Sequence, residues 1–141
     1  MMPDPVALFA TVVLLFPMGY FLLAAPAFLL VSLDIPPVTQ LLRGMFSSYF
    51  LMVAIAGAVG TVAVGMTGRV FVALAIALIA AFAIWARRWF LERWDAQLRA
   101  RDAGDAEAVR RLRRLHWGGM LCNALELAVI VGSIPYVVTP H

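Results

Sequence analysis

Four long apolar stretches, at about 6–33, 39–65, 70–88 and 115–138, occupy most of this chain. A helix crossing a bilayer needs roughly 20 such residues, because the hydrocarbon layer is about 30 Å thick and each residue rises about 1.5 Å. In hydrocarbon every backbone polar group must be satisfied within the protein, and a helix does this locally. The four stretches therefore predict four membrane helices and leave no room for a separate soluble domain. With 64% hydrophobic residues over 141 positions, the composition lies well above the roughly 45–50% of soluble domains. The expected fold is a single all-α domain over 1–141, a four-transmembrane-helix bundle. A cytoplasmic helical hairpin is expected to extend spans three and four.

The first span is longer than one straight crossing requires and contains Pro17 and Pro26, so tilt or a kink is expected before the Asp34-Ile35-Pro36-Pro37 turn. The second carries Gly57, Gly60 and several alanines, small residues that let helix backbones approach. Thr67-Gly68-Arg69 is short enough only for a hairpin. No Pro or Gly then interrupts the chain until Gly104, so the third helix should continue beyond the membrane through Arg87, Arg88 and Trp94. Trp85, Trp89 and Trp94 are expected at headgroup level, where an indole buries its ring and keeps its N–H wet. Asp105 reads as the cap of the fourth helix, with Glu107 near its positive end. The N-terminus lacks the basic region of a cleavable signal, so the first apolar stretch is expected to remain as a helix.

All eleven basic residues are arginine, and nine of them fall between Arg87 and Arg114. Arg43 lies on the same side of the bundle, whereas Arg69 alone lies on the other. The positive-inside rule places the arginine-rich loop in the cytoplasm and both termini outside, as expected in a bacterial cytoplasmic membrane. The net charge of +3 is thus accounted for by topology and lipid phosphates, and no nucleic-acid partner is expected. Arg111, Arg113 and Arg114 are the candidates for lipid headgroup contact.

The fourth span carries the polar residues that hydrocarbon penalises most. Counted from His116, Asn123 lies roughly 10 Å and Glu126 roughly 15 Å deeper, so Glu126 falls near the midplane. The three share one side of a helix, and Arg43 and Tyr49 on span two reach comparable depths. Arg43, Tyr49, His116, Asn123 and Glu126 are therefore the ligand-binding candidates. An apolar residue would serve packing at lower cost than Glu126, which reads as functional and, lacking a cation at its depth, as protonated. Asn in a span commonly bonds another helix instead. A single cysteine, Cys122, leaves no disulfide or thiolate cluster, and one internal histidine is too few for a zinc site or a bis-histidine haem. No metal, no cofactor and no catalytic residue is assigned.

Arg101-Asp102-Ala103-Gly104-Asp105, then Arg111 to His116, and then Asn123 form a pattern that resembles the small four-helix membrane family named domain of unknown function 4149. Phe46-Ser47-Ser48-Tyr49 at the start of span two also fits it. The resemblance implies the architecture and no activity, and Gly118-Gly119 stands where that family is expected to carry a serine. A more distant likeness is to anthrone-oxygenase-like membrane proteins, which implies oxygenation of polycyclic aromatic substrates.

Three functions fit the sequence. One is a non-enzymatic accessory subunit or homo-oligomer that binds lipid or a hydrophobic ligand, with membrane lipids and a second protein chain as partners. Another is an oxygenase-like enzyme acting on a hydrophobic aromatic substrate, and the third is a small carrier or channel. The first is the expectation carried forward. Orientation is directly testable: a cysteine at Asp105 in a Cys122→Ala background should react only with reagents that reach the cytoplasm. Labelling from the outside alone would reverse the topology.

Overall fold

The computed structural model describes residues 4–139. Helix α1 spans Pro5–Ala24 and continues as a 3₁₀ segment, Ala25–Leu30. Helices α2, α3 and α4 span Pro36–Met66, Val70–Asp102 and Ala108–Val138. All four are long and apolar enough to cross a membrane, and they pack as an antiparallel bundle in the cyclic order α1, α2, α3, α4. At about 1.5 Å per residue α3 is roughly 50 Å long, so about 20 Å of it stands clear of the hydrocarbon layer. With the start of α4 it forms the expected helical hairpin.

Pro17 is accommodated inside α1, whereas Pro26 coincides with the change to 3₁₀ geometry, having no N–H to continue the i→i−4 ladder. Helix α2 begins earlier than the apolar pattern suggests, because Pro36 and Pro37 suit a first turn whose N–H groups have no acceptor in any case. Helix α4 begins slightly later than expected. Asp105 accepts from the N–H of Glu107 at 2.9 Å, forming a turn ahead of the helix, and does not cap α4 itself. The two tight turns rest on Gly68 and Gly104, at φ 85° and 94°, a conformation that costs little only without a Cβ.

Small residues set the closest approaches. A Cβ on Gly57 would meet the Ala80 Cβ at 2.8 Å, so α2 and α3 touch almost backbone to backbone. Gly60 faces Ala10 and Ile76 with a little more room. Toward the hairpin the core becomes aromatic and centres on Phe46 of α2. Its ring lies 4.9 Å from Phe21 of α1 and 4.1 Å from Phe90 of α3, and it meets His116 of α4 edge-on at 6.1 Å. Gly119 is the place on α4 that receives this ring.

Trp94 corrects one sequence expectation. Trp85 and Trp89 are 58% and 40% exposed, consistent with a headgroup position, but Trp94 is fully buried. It continues the inner stripe Ala86, Phe90, Trp94 and Leu98, whose four-residue spacing keeps it on the core face. Its ring stacks on Phe90, and its Nε1 has no hydrogen-bond partner among the described residues.

The adjacent glycines of α4 separate packing from propensity. Gly119→Ala is expected to lower stability by about 1–3 kcal/mol, since its Cβ overlaps the Phe46 ring and the packed aromatic cluster cannot yield. Gly118→Ala meets nothing within 4 Å and should be neutral or stabilising by up to about 1 kcal/mol. Thermal unfolding in mild detergent checks the pair, and equal effects would refute this account of Gly119.

Candidate functional site

The polar residues of α4 line up against the broken end of α1. Arg113 donates to the carbonyl of Phe28 at 2.7 Å and to that of Val31 at 2.5 Å. His116 Nε2 lies 2.8 Å from the carbonyl oxygen of Ala25, and Asn123 Nδ2 donates to the carbonyl of Met18 at 3.0 Å. From Arg113 to Asn123 the α4 number rises by ten while the acceptor number falls by ten, from Phe28 to Met18, as expected of segments that run antiparallel. Arg113, His116 and Asn123 thus add side-chain donors to backbone carbonyls of α1, the 3₁₀ segment and Val31 just beyond it, and a carbonyl oxygen with two lone pairs can take such a bond beside its helical one.

These contacts fix the chemistry of the side chains. Arg113 Nη1 lies 3.1 Å from His116 Nδ1, and a guanidinium can only donate, so Nδ1 is the acceptor. Nε2 then carries the proton that bonds Ala25, and the imidazole is neutral with both nitrogens engaged. His116 and Asn123 are almost wholly buried, at 0% and 1% exposed.

Tyr49 crosses the bundle from α2. Its hydroxyl donates to Asn123 Oδ1 at 2.6 Å and lies 3.3 Å from Glu126 Oε2. With its single proton on the shorter bond, the longer contact is satisfied when a neutral Glu126 carboxyl donates to the Tyr49 oxygen. Glu126 is half-buried, and its second oxygen has no partner among the described residues. The structure thus brings Tyr49, Asn123 and Glu126 into one cluster, with His116 about two turns above on the same helix.

Arg43 lies outside that cluster. It donates from Nε and Nη2 to the two carboxylate oxygens of Asp95 on α3, at 2.6 and 2.9 Å. This forked pair holds the Asp95 carboxyl below the usual carboxylate value, against a smaller opposing effect of burial. Arg87 with Ser47, and Arg101 with Thr39, add further links between α2 and α3. Among the headgroup candidates, Arg111 bonds Gln97 and Asp105, Arg113 is turned inward as described, and Arg114 is exposed. At the opposite end Arg69 reaches Asp4 at 3.1 Å and the carbonyls of Tyr136 and Val137. The Asp4 carboxyl is held below its ordinary value chiefly by the N–H of Ala7, with help from Arg69 and Val6.

Sequence reasoning missed Asp95 and Arg101 because both look like solvated charges in a polar helix. For Arg101 the signal was the proline-rich turn after the first span, where it bonds the Leu33 carbonyl and the Thr39 hydroxyl; Asp95 carried no such signal. Among the described residues no three His, Cys, Asp or Glu side chains gather as a metal site needs.

The architecture defines an integral membrane protein, an all-α four-helix bundle whose polar interior joins its first and last helices. Compared with family models, curated proteins and solved structures, the chain has no match.

Removing these interior donors should destabilise the bundle. Asn123→Leu and His116→Phe are each expected to cost about 1–3 kcal/mol, because each removes a buried interhelical bond and also strips the Tyr49 hydroxyl or the Arg113 guanidinium of a buried acceptor, more than the roughly 0.6 kcal/mol of an average interhelical bond in a membrane. Unfolding in detergent measures this, and variants as stable as the parent would show that the groups left behind find other partners.

Proposed function

We propose that this chain is a non-enzymatic protein of the bacterial cytoplasmic membrane, an accessory subunit or oligomeric bundle that binds lipid or a hydrophobic ligand. Its termini lie outside and its arginine-rich hairpin in the cytoplasm. The observation that carries this reading is the occupation of the polar interior. Both His116 nitrogens, and the oxygen and nitrogen of the Asn123 side chain, are engaged with α1, Arg113 or Tyr49. Groups paired in this way and closed off from their surroundings build a scaffold: at 0% and 1% exposure His116 and Asn123 present no face for a substrate to meet. The resemblance to the domain of unknown function 4149 family adds architecture only.

The oxygenase-like reading draws on one feature, the unpartnered second oxygen of half-buried Glu126 near mid-membrane. Glu126→Gln keeps the shape and hydrogen-bonding capacity of a neutral carboxyl, and Glu126→Leu removes both. Under the scaffold reading Gln should retain thermal stability, oligomeric state and copurifying lipid, and Leu should lose at most about 1 kcal/mol of stability. A Gln variant that folds normally but loses a bound aromatic molecule or a turnover would overturn the non-enzymatic reading.

A further inference from the structure

A groove of about 470 Å³ runs along the seam of α3 and α4 on the hairpin side, within the roughly 300–1,000 Å³ usual for ligand sites. Its α3 wall extends from Phe82 to Gln97, about 20 Å at helical rise. That length matches a headgroup together with much of one hydrocarbon leaflet, itself about 15 Å thick.

The two ends of the groove differ in chemistry. The deep end is apolar, with Phe82 and Trp85 on α3 facing Gly118 and Cys122 on α4. The mouth is cationic, with Arg93, Arg111 and Arg114. Arg111 is already paired with Asp105, but Arg93 and Arg114 have no carboxylate within ion-pair distance among the described residues. The Arg93 guanidinium instead lies over the Trp89 ring, 5.0 Å from its centroid, which leaves its N–H edge open. Gly118 keeps the floor clear, since nothing lies within 4 Å of where its Cβ would be.

We propose that this groove is a binding site for an anionic phospholipid taken from the surrounding leaflet, its phosphate held by Arg93 and Arg114 and one acyl chain laid over Gly118. Planar guanidinium groups suit phosphate oxygens, and the aromatic wall at headgroup level suits the glycerol and upper chain. Charge complementarity at the mouth selects the anionic lipid over a neutral one of equal chain length. The inference deepens the binding function proposed above and rests on it.

Native mass spectrometry of the full chain in mild detergent, titrated with phosphatidylglycerol and phosphatidylcholine of identical acyl chains, tests the site. Phosphatidylglycerol should be retained at one copy per chain, in clear preference to phosphatidylcholine. Arg93→Gln and Arg114→Gln should each weaken it about fivefold, the equivalent of roughly 1 kcal/mol per arginine near the surface. Gly118→Leu should abolish retention by filling the floor, while a better helix former there preserves the fold. Arg110→Gln, which removes the same charge from the hairpin outside the groove, should leave retention unchanged. Equal retention of both lipids, or an Arg110→Gln loss as large as that of Arg114→Gln, would reduce the effect to general surface charge and overturn the site. Competition by millimolar inorganic phosphate as strong as that by the lipid would make it a free-anion site, and a dimer broken by Gly118→Leu but not by lipid would make it a contact between copies. Either result sinks the proposal. If selectivity fails while the protein still carries neutral lipid or a partner chain, the binding function stands without this site; a chain that carries nothing loses both.

Discussion

The bundle depends on hydrogen bonds from α4 to the backbone of α1. In water an orphan carbonyl at a helix end is solvated at once, whereas in hydrocarbon it costs several kcal/mol unless the protein supplies a donor. The Val31 carbonyl just beyond the 3₁₀ segment is such a group and takes Arg113, and the carbonyls of Phe28, Ala25 and Met18 receive Arg113, His116 and Asn123 in antiparallel register. This gives the polar side chains of α4 a reason to exist that involves no substrate. It also explains their spacing, because each must face a particular turn of its neighbour.

The remaining contacts divide by depth. Within the hydrocarbon layer α2 and α3 are held by close approach, with Gly57 against Ala80, where dispersion replaces the hydrophobic effect as the source of attraction between helices. Nearer the hairpin, ion pairs and arginine hydrogen bonds take over, from Arg87 and Ser47 to Arg43 and Asp95 and then Arg101 and Thr39. Phe46 sits at the crossover, in contact with aromatic residues of α1 and α3 and seated on Gly119 of α4. Among the described residues the α3–α4 seam has no comparable ladder below the hairpin, and there the groove opens.

Much of the fold was legible in the sequence because the bilayer imposes so strict a length and composition. Four apolar runs, a three-residue turn and an uninterrupted third helix were enough to place the elements, and the depth order of His116, Asn123 and Glu126 followed from helical rise alone. Partners were less legible. Trp94 was read by residue type, as an interfacial indole, and Asp95 was not singled out at all; rotation about α3 decides which face each occupies, and only packing reveals that rotation. Arg43 was grouped with Tyr49 by depth, although its carboxylate lay on α3. Side chains bonded to backbone are the hardest to foresee, since the carbonyls of Met18 and Ala25 carry no residue-specific signal.

The pairing of α1 with α4 also bears on biogenesis. Of the four helices α1 is made before α4, and the hydrogen bonds of Arg113, His116 and Asn123 to the α1 side cannot form until α4 is present. While α2 and α3 are being made, α1 can pack against α2 but lacks these side-chain donors. The α1–α4 face is therefore completed last, and insertion of α4 is the step that closes the bundle.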